Sequence, residues 1–274
     1  MPRKTWIVAL VAVAVVVVLA LTLSFLLFTR RQQASQPVVP ASTSYSQKQK
    51  TVSVASSIKL LVFSKTAGFR HASIKDGIIA LKKLGAENKV AIDFTEDSAM
   101  FTDANLKQYN AVVFLMATGD LLNNDQQAAF ERYIRAGGGY AGVHSASDAE
   151  YKWAWYGKLV GAFFHDHPRI QQGTIHVLDH KHPSTADLPD QWVRSDEWYN
   201  FATNPSNSVH VLMTVDEKTY TGGKMGANHP IAWYHQYDGG RSWYTAIGHT
   251  SASYYDRLFL SHLWGGIMYA AGAR

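Results

Sequence analysis

The hydrophobic pattern of the chain changes character twice. Trp6 to Phe28 is an uncharged apolar run broken only by Thr22 and Ser24. At about 1.5 Å per residue a helix of that length spans roughly 34 Å, enough to cross a bilayer. It outlasts the roughly 7–15 apolar residues of a cleaved leader and no clear A-x-A site follows, so residues 6–28 predict a retained transmembrane signal anchor behind a short basic flank, 1–5. Residues 29–57, rich in Gln, Ser, Thr, Val and Pro without a period, predict a flexible tether. Residues 58–274 carry the pattern of one folded domain.

Within that domain the first half alternates two periods. Ile58–Phe63, Val90–Phe94, Ala111–Met116 and Gly138–His144 are short apolar runs that predict strands. Ile74–Leu84 and Asp125–Arg135 place apolar residues at helical spacing. Such alternation predicts an α/β three-layer sandwich whose central sheet is mostly parallel. Ligands bind beyond the carboxyl ends of such strands, so Ser64–His71, Thr118–Asp120 and His144–Asp148 are expected at one rim. The second half predicts strands near Thr174–Val177, Val209–Thr214, Ile231–His235 and Trp243–Ile247, then a helix from about Tyr255 to Ala271.

Charge alters the picture by subtraction. Residues 1–50 hold six Lys or Arg and no acid, leaving 20 basic against 21 acidic residues in the rest of the chain, a balance of −1. A nucleic-acid binder carries its basic excess on the folded domain, so no nucleic-acid partner is expected. Basic residues flank the apolar run on both sides, Arg3 and Lys4 before it, Arg30 and Arg31 after it. The positive-inside rule therefore divides, and the large domain on one side favours an extracytoplasmic, single-pass arrangement. The chain has no cysteine, which excludes thiol chemistry and permits either redox compartment.

The candidate chemistry centres on Gly137–Asp148, GGGYAGVHSASD. A strand-to-helix elbow needs small residues two before and two after its exposed side chain. Gly142 and Ala146 meet that condition around His144, whereas Val143 and Ser147 meet it poorly around Ser145. The alternative is a histidine that merely caps a strand. All 12 histidines lie in the domain, and imidazole serves as base, acid or metal ligand near neutral pH. His165 and His167 would face one side if extended and are the candidate pair for a divalent metal, although no H-E-x-x-H spacing supports a zinc site. Asp196 and Glu197, if extended, point to opposite sides, so one carboxylate acts in a site while the other holds structure, or both are loop carboxylates in caps and ion pairs. The many aromatics of the second half suit stacking on sugar rings, though most belong to the core.

Six motifs in order then become recognisable: GFRHASI (68–74), GGGYAGVHSASDAEYKWAWYGKLVGAFF (137–164), HP at His167, SDEWYNF (195–201), HPIAW (229–233) and GRSWYTAIGHT (240–250). Together they resemble the ThuA-like, or trehalose utilisation, family over essentially all of 58–272. The resemblance implies a fold like the class I glutamine amidotransferases, related to flavodoxin-like sandwiches. In those enzymes a cysteine stands at the elbow. His144 stands at that position here, so amidotransferase activity does not carry over.

The resemblance also implies a small-molecule carbohydrate partner, with a sugar or 3-keto-disaccharide as the substrate of a lyase, hydrolase or isomerase. His144, Asp196, Glu197 and His249 are the expected catalytic groups. Arg70, His71, Ser145, Asp148, Tyr199, His229, Trp233 and Arg241 are expected around the substrate, Arg241 as an anion or hydroxyl clamp. The rival readings are a non-catalytic carbohydrate-binding or sensing module and a scaffold whose histidines are structural. Geometry separates them: a reacting constellation requires His144, His249 and a carboxylate within about one water-mediated hydrogen bond of each other.

Overall fold

The computed structural model describes residues 58–273. The anchor and tether read at 6–28 and 29–57 lie outside the described residues, and among the described residues no helix is long and apolar enough to cross a membrane.

The strands read from the first half all form. They are β1 (Lys59–Phe63), β2 (Ala91–Thr95), β3 (Ala111–Leu115) and β4 (Gly139–Val143). With β11 (Gly240–Thr245) they lie side by side in the order β2-β1-β3-β4-β11, every neighbour parallel. This is the parallel core of the expected α/β sandwich. β3 and β4 are buried at every residue, as strands covered on both faces must be.

The covering helices follow from strand alternation. Tyr140 and Phe114 project to one face and pack their rings against Phe130 of α3 (Asn124–Arg135) and Tyr156 of α4 (Ala154–Val160). Leu115 and Trp243 project to the other, against Gly77 of α1 (Ile74–Asn88) and Gly266 of α5 (Arg257–Ala270). A short turn of helix, α2 (Asp103–Leu106), packs on α3. The start of α3 is written in the sequence: Asn123 caps the Gln126 backbone and the Gln126 side chain returns the bond, a capping box.

Beyond β11 the sheet turns antiparallel through β10 (Pro230–Tyr237), β9 (His210–Val215), β6 (Gln171–Val177) and β7 (Gln191–Asp196), giving nine strands in all. Asp238 and Gly239 close the β10–β11 hairpin, both at positive φ, the conformation a two-residue Asp-Gly turn requires. A separate pair joins β5 (Phe164–Asp166) to β8 (Asn200–Phe201).

Three differences from the sequence reading matter for the site. The fourth strand ends at Val143, because His144 leaves the extended region with φ at 51°. β7 and α4 appear where no element was read. β5 is only three residues long, so His167 lies beyond its end and the extended alternation that would align it with His165 does not hold. Although β7 is the far edge strand, its last residue, Asp196, bonds the loop after β11. The sheet therefore curls its antiparallel edge back over the carboxyl ends of the parallel strands.

Candidate functional site

The strand ends gather as the parallel topology demands. The backbone N–H of Ala67 donates to the Thr118 carbonyl at 2.7 Å, the Thr118 hydroxyl donates to the Phe69 carbonyl at 2.8 Å, and Gly119 bonds Asp148 at 2.9 Å. At the centre stands His144, fully buried at the turn after β4. Its Nδ1 lies 2.6 Å from the carbonyl of Ala246. A carbonyl only accepts, so Nδ1 carries a proton and Nε2 is turned toward the rim.

Three elements meet that nitrogen. His249, on the loop after β11, places Nδ1 3.2 Å from His144 Nε2. Glu197, one residue past β7, places Oε2 3.4 Å from the same nitrogen and 3.0 Å from His249 Nδ1. His71, on the loop after β1, packs its ring edge-on against both histidines at 4.8 and 5.0 Å between centroids, with Nδ1 3.4 Å from Ser145 Oγ. Ligand-type atoms of His71, His144, Glu197 and His249 all lie within 4.8 Å of one another, and these four residues could hold a metal ion.

The electrostatics follow from burial and contact. Burial and the neighbouring His144 and His249 lower His71 to about 3. Burial alone would raise Glu197, but hydrogen bonds to His144 and His249 outweigh it and hold the carboxylate well below its usual range. Burial opposes the charged form of His249, and Glu197 overrides it and raises that imidazole. The second oxygen of Glu197 is held by His167, whose Nδ1 is 3.1 Å from Oε1 and 2.9 Å from the Pro168 carbonyl.

Above the cluster opens a cavity of about 320 Å³ lined by Phe69, His71, Asp148, Phe164, His167, Glu197 and Tyr199. Tyr199 forms a wall, its ring 4.3 Å from that of His144 and from that of Phe164. Asp148 faces the cavity with its carboxyl raised by burial, and the Tyr151 hydroxyl, which donates to it at 2.7 Å, offsets part of that shift.

The family model for ThuA, trehalose utilisation, matches residues 59–270. The chain belongs to the ThuA family. Two solved ThuA-like proteins share its fold. The one from Bacteroides uniformis is 23% identical with a TM-score of 0.68, covering 85% of this chain and 95% of its own. The one from Parabacteroides merdae is 23% identical with a TM-score of 0.64, covering 79% and 91% respectively. No curated protein matches the chain in sequence.

In the ThuA domain, then, His71, His144, Glu197 and His249 converge, with Asp148 and Tyr199 beside them and Ser145 buried beneath His71. Other residues read as site groups lie elsewhere. Asp196 does not face the cavity. Its carboxylate is fully buried and accepts the backbone N–H of Glu197, Gly248 and His249 at 3.0–3.1 Å and the Arg194 guanidinium at 3.2 Å. Arg241 sits at the opposite end of the sheet, pairing with Gly139 at the start of β4 and donating to the carbonyls of Ala270 and Gly137. Trp233 is core, its indole donating to the Val160 carbonyl. His229 is buried between Glu217 and the Tyr199 carbonyl, which it holds at 2.8 Å. Arg70 is exposed and engaged by Glu96. The metal pair is also reassigned: His165 is exposed and 4.0 Å from Asp166, while His167 turns to Glu197. Phe69 and Phe164 escaped the sequence reading, and only their places beside His71 and His165 in the motifs marked them.

Proposed function

We propose that the chain is a carbohydrate-processing enzyme acting on a keto-sugar glycoside. The observation that carries this is the spacing of His144, His249 and Glu197, 3.0–3.4 Å apart beneath a cavity. A binding module has no need of three convergent ionisable groups in a buried floor, so the geometry favours an enzyme over the sensing reading. Membership of a family named for trehalose utilisation supports a disaccharide-type substrate.

A ketone at C3 of a sugar acidifies the proton on C2. Removing that proton forms the C1–C2 double bond and breaks the C1–O bond, and the proton gained by the departing oxygen balances the step. The reaction needs a group that polarises the ketone, a base and an acid. The histidine cluster is placed for the first task. Asp148 and His167 line the same cavity and are placed to move protons, while Phe69, Phe164 and Tyr199 offer faces for a pyranose ring.

Turnover of a 3-keto-disaccharide by the purified full chain tests this, followed as release of the leaving sugar. Wild type is expected to be active, with His144→Ala and Glu197→Gln slower by about 100–10,000-fold. Equal rates in all three would remove the cluster from the reaction.

A further inference from the structure

We infer that His144, His249 and Glu197 form three corners of a divalent transition-metal site, with His71 standing beside its open side. The spacing of the three atoms fits such an ion. Tetrahedral zinc with bonds of about 2.0–2.1 Å separates its donor atoms by about 3.3 Å. The three edges here are 3.2, 3.4 and 3.0 Å. The three atoms thus already form one face of such a tetrahedron.

The hydrogen-bond partners point the same way. The Ala246 carbonyl takes the hydrogen on His144 Nδ1, so a ring with a single proton turns the lone pair of Nε2 toward Glu197 and His249. Glu197 Oε2 presents another lone pair 3.0 Å from His249 Nδ1. Without an ion, extra protons on the imidazoles must bridge these atoms, whereas a divalent cation at the centre satisfies all three at once.

The outer contacts fit as well. Metal-bound imidazoles hand their other N–H to a carbonyl or carboxylate, as His144 does, and metal-bound carboxylates are themselves braced from outside, a role the His167 Nδ1 can fill from 3.1 Å beside Glu197 Oε1. Asp196 fixes the backbones of both Glu197 and His249. His71 and Glu197 also line the cavity, so one face of the site opens toward it, the arrangement of a catalytic rather than a structural ion. An ion there would polarise a substrate oxygen.

The test uses the full chain purified through a tag free of histidine. Metal content is measured by mass spectrometry, and thermal unfolding is followed after chelation and titration with zinc or manganese alone. About one ion per chain is expected, with a rise in unfolding midpoint of about 5–10 °C at free metal near 100 times Kd. Glu197→Gln and His144→Asn, both close in size and the second tolerant of positive φ, should lose the ion with native circular dichroism retained. His167→Ala should weaken it about 10–100-fold, and His165→Ala should leave it unchanged. Negligible metal in wild type with no midpoint shift on titration, or equal content in Glu197→Gln, overturns the site. No sugar enters the measurement, so failure here and failure of the keto-sugar reading are separately visible.

Discussion

The left-handed φ of His144, 51°, is uncommon for a residue with a side chain, although histidine tolerates it better than most. Strained backbone of this kind persists only where its surroundings over-determine it, and here they do. Gly142 has room only for hydrogen, since a Cβ would stand 2.6 Å from the Tyr140 hydroxyl and 3.0 Å from the Tyr244 ring. The Tyr244 hydroxyl donates to the His144 carbonyl at 2.7 Å and accepts from Ser147 at 2.8 Å, pinning the turn from the neighbouring strand. Tyr244→Phe would leave that buried carbonyl nearly unpartnered, at a cost of about 1–3 kcal/mol, measurable by urea unfolding. Because Tyr244 touches neither the cavity nor the cluster nitrogens, we expect its loss to lower kcat with KM little changed. A rise in KM alone would show that the elbow does not depend on it.

At the scale of elements, α5 and β11 form the seam on which the loop carrying His249 depends. Gly266 admits the Trp243 indole where any side chain would overlap it, and His262 crosses the seam fully buried, bonding the Ser184 carbonyl at 2.9 Å and the Thr245 hydroxyl at 3.0 Å. Burial lowers His262 to about 3, only partly opposed by its bond to Ser184. An unfolded histidine takes up its proton near pH 6.5, so between about 6.5 and 3 the unfolded chain binds more protons than the folded one. Its contribution is therefore complete above pH 6.5 and is lost as pH falls through that window, by at most about 1.4 kcal/mol per pH unit. Denaturant unfolding from pH 7 to 4 should show a shallower slope for His262→Asn than for wild type, and parallel slopes would locate the acid sensitivity elsewhere. The seam also marks what the sequence could disclose. The parallel strands and α1, α3 and α5 were legible because each buries a face against its neighbours and keeps a local period. The elbow was legible from the small residues beside His144. Arg241 was misread because sequence alone does not say which end of its strand meets the rim.

Across the whole molecule, the site exists because two halves built on different rules close on each other. The parallel half, β11 included, brings His71, His144 and His249 to the rim by its topology alone. Glu197 and His249 arrive from segments 52 residues apart, and Asp196 joins them by accepting the N–H groups of Gly248 and His249. No local period encodes that meeting, since it depends on the curl of the antiparallel edge. The sequence reading could therefore separate the two carboxylates by direction without saying which faced the cavity. Asp196 is fully buried, and Arg194, paired to it, stacks on Trp192 and Phe259 at 4.5 and 5.2 Å. Asp196→Asn turns one oxygen into a donor facing other donors and leaves Arg194 without its partner charge, a loss of about 3–5 kcal/mol. Its effect should reach the site through the His249 loop. The variant is expected to lose most turnover at temperatures where it remains folded, with faster amide exchange at Gly248 and His249 than wild type. Unchanged exchange at those two amides would mean that Asp196 serves stability alone and that the cluster keeps its geometry without it.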